Sequence, residues 1–173
     1  MKTKIFLAII ITSLISCNKI DELLTFSVTN QASFTVNSGF LVNSPLEIPT
    51  PDVTTNSSSN FSNNNTRADL VKDVKLQELK LTITNPTDKT FSFLKSVHIY
   101  ISTNANDEVE LAYADNIVST ANTINLTCTS QRLDAYLKAS SYKLRTKVTT
   151  KETVNQDVTI KADMRFSVVA DPL

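Results

Sequence analysis

Apolar and polar side chains alternate along much of this chain, and the alternation predicts strands. The longest run lies near the C-terminus, where Val158, Ile160, Ala162, Met164, Phe166 and Val168 interleave with Thr159, Lys161, Asp163, Arg165 and Ser167. A period of two places one face of a strand on a core and the other in water. Tyr142, Leu144 and Val148 alternate in the same way with Lys143, Arg145 and Lys147, and Leu79, Leu81 and Ile83 with Lys80, Thr82 and Thr84. Phe91 and Phe93 lead into Val97, Ile99 and Ile101, whose opposite face carries Ser96, His98 and Tyr100. Val109, Leu111 and Tyr113 predict a further strand, and Ile124, Leu126 and Cys128 another. Near the start, residues 26–28 and 34–36 read as two strands divided by polar Asn30 and Gln31. Residues 46–48 read as a short strand ended by Pro49 and Pro51, residues suited to a sheet edge because they cannot donate to a ladder.

The polar stretches supply turns. Asn85-Pro86-Thr87-Asp88 and Asn104-Ala105-Asn106-Asp107 each reverse the chain, and residues 54–65, almost all Thr, Asn and Ser apart from Phe61, predict a long flexible surface loop. Thr66 and Asp69 have the spacing of a capping box that would open a short helix carrying Leu70, Val71 and Val74. Ser130 would cap a second, in which Leu133, Tyr136 and Leu137 share one stripe. Many strands, frequent turns and little helix predict an all-β fold, an antiparallel β-sandwich with one or two short helices, as a single domain over residues 24–173.

Two resemblances sharpen this picture. Leu79-Lys80-Leu81-Thr82-Ile83-Thr84-Asn85-Pro86, followed by residues 94–101, the leucine-bearing segment 133–137 and the strands around Tyr142 and Val158, resembles the water-stress, late-embryogenesis-abundant type 2 domain over about residues 74–169. That resemblance implies a seven-stranded, Ig-like or fibronectin-like sandwich and no catalytic residues. At the N-terminus, Lys2 and Lys4 precede an apolar run over residues 5–15 that is too short to span a bilayer as a helix. Leu14-Ile15-Ser16-Cys17 closes it and resembles the lipobox of bacterial lipoproteins. The resemblance implies a signal peptide over 1–16, lipidation of Cys17 and a leash over 17–23. Asn18 at the second mature position lacks the inner-membrane retention residue of enteric lipoproteins. Lys19, Asp21 and Glu22 resemble the surface-export tag of Bacteroidetes lipoproteins. The implied address is the bacterial cell envelope, at the outer membrane, facing the periplasm or the surface.

Composition excludes more than it includes. The chain has 17 Lys and Arg against 17 Asp and Glu; cleavage before Cys17 removes Lys2 and Lys4 and leaves the mature chain slightly acidic. Such a balance offers nucleic acid no electrostatic footprint. Gly39 is the only glycine, so no glycine-rich phosphate loop can form, and His98 is the only histidine, which rules out multi-histidine metal sites. Once Cys17 is lipidated, Cys128 has no disulfide partner, and its place in an alternating run predicts a buried, inert thiol.

Three clusters could still carry chemistry. His98 is the first residue to weigh as a general base, but its position predicts an outward-facing, solvated side chain. Asp107, Glu108 and Glu110 lie at a turn where oxygens could gather around Ca²⁺, without the spacing of a known calcium loop. Lys143, Arg145, Lys147, Lys161 and Arg165 would form a face for anionic glycan, lipid headgroups or an acidic partner if their strands lie in one sheet. The expected function is a non-catalytic structural or binding module of the envelope, held to a membrane through Cys17, with a protein or glycan partner and no cofactor. A carrier of lipid or another apolar ligand between the sheets is the alternative, and a hydrolytic enzyme comes third.

Overall fold

The computed structural model describes residues 23–173, so the signal segment, Cys17 and the leash up to residue 22 lie outside the described residues. In chain order the elements are β1 (Leu24–Val36), β2 (Pro45–Pro49), β3 (Val53–Thr54), α1 (Ser57–Asn63), β4 (Val71–Asn85), β5 (Leu94–Ser102), β6 (Val109–Ala114), β7 (Thr123–Asn125), β8 (Thr127–Cys128), α2 (Asp134–Lys138), β9 (Ser141–Thr150) and β10 (Val158–Ala170). The strands form two sheets. The first has the order β1-β10-β4-β7; the second has β2-β9-β5-β6-β8, with β3 also beside β9. All pairs are antiparallel. The expected all-β sandwich is therefore present, with ten strands where the late-embryogenesis-type resemblance implies seven.

The alternation explains how the sheets stack. Leu79, Leu81 and Ile83 of β4, with Ile160, Ala162, Met164, Phe166 and Val168 of β10, are all buried on one face of the first sheet. Val97, Ile99 and Ile101 of β5, with Tyr142, Leu144 and Val148 of β9, are buried on the second. They join one hydrophobic core that also takes in Phe91, Phe93, Leu133, Tyr136 and Leu137.

One end of the sandwich is closed by loops 37–44, 86–93, 115–122 and 151–157. Backbone bonds tie them together: Gly39 N–H to Val154 O, Lys151 N–H to Phe93 O, Phe91 N–H to Ala121 O and Ile117 N–H to Lys95 O. The other end carries both helices, the start of β1 and the C-terminus, where Asp171 N–H bonds Leu70 O and Leu173 N–H bonds Asn65 O.

Several local expectations are corrected. Residues 26–28 and 34–36 belong to the single strand β1, because Asn30 takes an inward position and the pairing with β10 runs unbroken from Leu24 to Val36. Burial of Asn30 is tolerated because its Nδ2 donates to Tyr142 Oη at 3.0 Å. Residues 54–65 do not form a long loop: Phe61, 1% exposed, draws α1 onto the core. The segment after Thr66 makes only one 3₁₀ turn, Ala68–Leu70, before β4 begins. Thr66 caps nothing there; its hydroxyl donates to Asp171 O instead. In α2 the N-cap position belongs to Leu133 rather than Ser130. The expected strand 124–128 is split between the sheets, β7 pairing with β4 and β8 with β6, and Leu126 is buried at the crossing.

The Asn30–Tyr142 bond yields a stability prediction. Tyr142 is 1% exposed, and burial pushes its hydroxyl up to about 12. Tyr142→Phe keeps the ring and strips the Asn30 amide of its partner, so it should cost about 1–3 kcal/mol, read as a lower urea midpoint at unchanged slope. A loss below about 0.5 kcal/mol would mean that the buried bond contributes little.

Candidate functional site

Outward positions of β5, β6 and β9 bring aromatic and titratable side chains together on the open face of the second sheet. Cross-strand register sets their rows. His98 lies opposite Lys147 on one side and Tyr113 on the other, and Tyr100 lies between Arg145 and Glu110. Strict alternation would put Tyr113 on the same face as Leu111. A β-bulge overturns that expectation: Ile99 pairs with Ala112 and Tyr100 with Glu110, leaving Leu111 as the extra residue. Leu111 and Ala112 both turn inward, and Tyr113 stacks on His98 with ring centroids 5.8 Å apart and planes 15° from parallel.

His98 is held rather than merely solvated. Its Nδ1 lies 2.7 Å from Glu110 Oε1 and its Nε2 lies 3.2 Å from Asp115 Oδ1. An imidazole with a carboxylate at each nitrogen has no free position from which to take a proton from a hydroxyl or a water. This geometry suits a fastening between strands, not a general base.

Arg145 organises the neighbouring row. Its Nε and Nη2 donate to the two oxygens of Glu108 at 2.9 and 2.6 Å, its Nη1 reaches Glu47 at 2.9 Å, and its guanidinium lies 4.3 Å from the centre of the Tyr100 ring. Two-point contacts of this kind are the stronger class of ion pair. The hydrogen bond from Arg145 holds the Glu108 carboxyl below its ordinary value, and the bond to Glu108 raises Arg145. Burial first, and then the Glu110 charge, raises the Tyr100 hydroxyl. A shallow groove over this face is lined by Pro45, Ser96, His98, Tyr100, Lys147 and Thr149.

The residues weighed for calcium are used elsewhere. The carboxylate of Asp107 closes the turn before β6, accepting the N–H groups of Thr103 and Asn104 at 2.9 and 3.0 Å as well as the Thr103 hydroxyl. The Thr103 hydroxyl lowers its pKa most. Glu108 is bound to Arg145 and Glu110 to His98. Among the described residues no three His, Cys, Asp or Glu side chains are grouped to hold a metal ion.

The five cations expected on one face are divided. Lys143, Arg145 and Lys147 lie on β9 in the second sheet, Lys161 and Arg165 on β10 in the first. The connection over residues 151–157 passes from one sheet to the other, so the two outward faces point to opposite sides of the sandwich. Within each face the cations meet acids: Lys161 pairs with Asp163 at 3.0 Å and Arg165 with Glu78 at 2.7 Å. On the other side Arg145 pairs with Glu47 and Glu108, while Glu110 and Asp115 are held by His98. Sequence reasoning missed the clasp around His98 because its members are far apart along the chain and meet only through the bulge. Cys128 is half-buried where the alternation predicts a buried side chain, and burial raises its thiol.

No family model and no curated protein matches this chain. Among solved structures it is similar to a candidate secreted protein from Eubacterium rectale, with 12% identity and a TM-score of 0.44 over 86% of this chain. The chain spans 40% of that protein's length. It is also similar to the 60-mer BFDV capsid protein, with 11% identity and a TM-score of 0.40 over 88% of this chain and 95% of that one. Neither likeness is close enough to assign an activity.

Proposed function

We propose that this chain is a lipid-anchored, non-catalytic module of the bacterial cell envelope, tethered at Cys17 to the outer membrane. The observation that carries the reading is the Leu14-Ile15-Ser16-Cys17 motif behind a basic start and a short apolar run. Several acyl chains at about 0.8 kcal/mol per buried CH₂ make such a tether stable. The sandwich supports it from the other side, since the side chains that could do chemistry are fastened to one another: His98 between two carboxylates, Arg145 on Glu108, Asp107 in its own turn. The carrier reading needs an open space between the sheets. That space is occupied by Phe91, Phe93, Phe166, Leu81 and Ile99, each at most 1% exposed.

The tether also limits how far the domain can stand from the membrane. The seven residue-to-residue steps from Cys17 to Leu24 reach at most about 25 Å, whereas the thirteen residues of β1 extend about 40 Å. The start of β1 therefore stays within that reach of the bilayer, β1 itself can lie along the membrane, and the four bonded loops close the opposite end of the sandwich. Those loops display Leu41 at 76% and Val118 at 86% exposure, which makes them the natural surface for an envelope partner.

Cys17→Ala should move the protein from the membrane fraction to the soluble fraction while leaving its β-rich circular dichroism unchanged. A variant that still sediments with membranes would defeat the lipid anchor.

A further inference from the structure

The open edge of the first sheet is unguarded. Edge strands are normally protected by charges, prolines or bulges, because their free N–H and C=O groups invite another strand. On the neighbouring edge of the second sheet, β2 begins with Pro45 and ends with Pro49, Pro51 follows, and Glu47 lies between. In contrast, β1 runs thirteen residues with no charge, no proline and no break in its register with β10. Among the described residues it is the only strand of five or more residues without a charged side chain.

The ladder shows which groups are free. Ile83 N–H bonds Asn122 O and Leu79 O accepts from Leu126 N–H, so the inward residues of β4 turn their backbone groups towards β7. Alternation then directs the outward residues of β4 to β10, and the inward residues of β10 to the inward residues of β1. The backbone groups of outward Thr25, Ser27, Thr29, Gln31, Ser33 and Thr35 are left on the open edge. Among the described residues none of them has a backbone bond outside the strand ladder.

The sequence of β1 is a near palindrome about Asn30. Thr25 and Thr35, Phe26 and Phe34, and Ser27 and Ser33 stand at equal distances from it. Leu24 and Val36, then Val28 and Ala32, match as apolar pairs, and Thr29 and Gln31 as uncharged polar ones. A palindrome is what a two-fold axis asks of an antiparallel strand pair, since each residue then meets its own kind.

We propose that β1 is the interface of a homodimer, pairing antiparallel with β1 of a second copy about an axis at Asn30 and joining the two first sheets into one. Thr25 meets Thr35, Ser27 meets Ser33 and Thr29 meets Gln31 across the seam, in hydrogen-bonded positions that exchange on the order of twelve main-chain bonds. Phe26 meets Phe34 on the inward side. The occupant is a second copy because an uncharged strand meets no like charge in its own image, and hydroxyl pairs and aromatic pairs are both favourable across strands. Such an isologous contact uses up the edge on both copies, so it closes as a dimer and does not grow into a fibre.

Sedimentation of the full chain in mild detergent should give twice the protein mass of one copy. Thr29→Lys/Gln31→Lys sets lysine against lysine across the axis and should weaken the dimer by about tenfold or more. Thr29→Lys/Gln31→Glu sets lysine against glutamate and should restore it. In a Cys128→Ala background, mild oxidation of Thr29→Cys/Gln31→Cys should link two copies, whereas Thr25→Cys/Ser27→Cys, at one end of the palindrome, should not. A single-copy mass for the unsubstituted chain overturns the proposal. So do equal cross-linking in both cysteine variants and indifference of the dimer to the sign of the introduced charges.

Discussion

Phe166→Ala should lower the unfolding free energy by about 3–5 kcal/mol, the range for emptying a fully buried aromatic site. Phe166 is 0% exposed near the middle of β10, which lies between β1 and β4. Its cross-strand neighbours are Val28 and Leu76, and its ring meets Tyr142 of the other sheet edge-on, with centroids 6.5 Å apart. Truncation removes the apolar burial and the aromatic pair together, from a site whose walls are strands of two sheets and cannot collapse freely. For a domain of ordinary stability, about 5–15 kcal/mol, this is a large fraction of the whole. Urea unfolding followed by circular dichroism would measure it. A loss below about 1 kcal/mol would mean that the space between the sheets is already loose, and it would reopen the carrier reading.

Phe61→Ala should have a different signature, a loss of about 3 kcal/mol or more concentrated at one end of the molecule. Seven residues rich in Ser and Asn make a poor helix by propensity and are too few to hold one alone. The N-cap Asn56 is left-handed and makes no side-chain cap. What the segment has is Phe61 on the core, edge-on to Phe26 at 6.3 Å, and a set of side-chain bonds such as Asn64 Nδ2 to Asn60 O at 2.8 Å. Those small bonds persist only while the backbone is already placed. Without the ring, the amides of Asn60, Asn64 and Thr66 should lose hydrogen-exchange protection while those of β4 and β10 keep theirs. Unchanged protection at Asn64 and Thr66 would show that α1 does not depend on its aromatic anchor.

These two phenylalanines mark the boundary of what was legible. Phe166 lies in a long strict alternation, and its burial follows from period alone. Phe61 is a lone apolar residue among polar ones, where neither helical nor strand period exists, so composition pointed to a loop. Asn30 misled in the opposite direction. A polar residue at an inward position looked like the gap between two strands, because only a partner from a distant element, Tyr142, makes its burial affordable. The candidate site was less legible than the fold. His98 and Tyr100 were placed correctly on an outward face, but Tyr113 reaches that face only through the bulge at Leu111. Glu110 and Asp115 stand 12 and 17 residues away from the histidine they hold.

By itself the sequence determined the fold class, the faces of its main strands and the shortage of chemical equipment, and it carries the motif from which a tether at Cys17 is proposed. All of these depend on residue type and on spacing within a few positions, which the local geometry of a strand or a signal segment reads directly. Only the tertiary structure decided which strands share a sheet. Alternation fixes the face a side chain takes and is blind to its neighbour, so β9 and β10, alike as strings, end on opposite layers and divide the five cations between them. The same long-range pairing put β1 at an edge, and there a palindrome that is only a pattern in the chain becomes a surface able to meet its own copy.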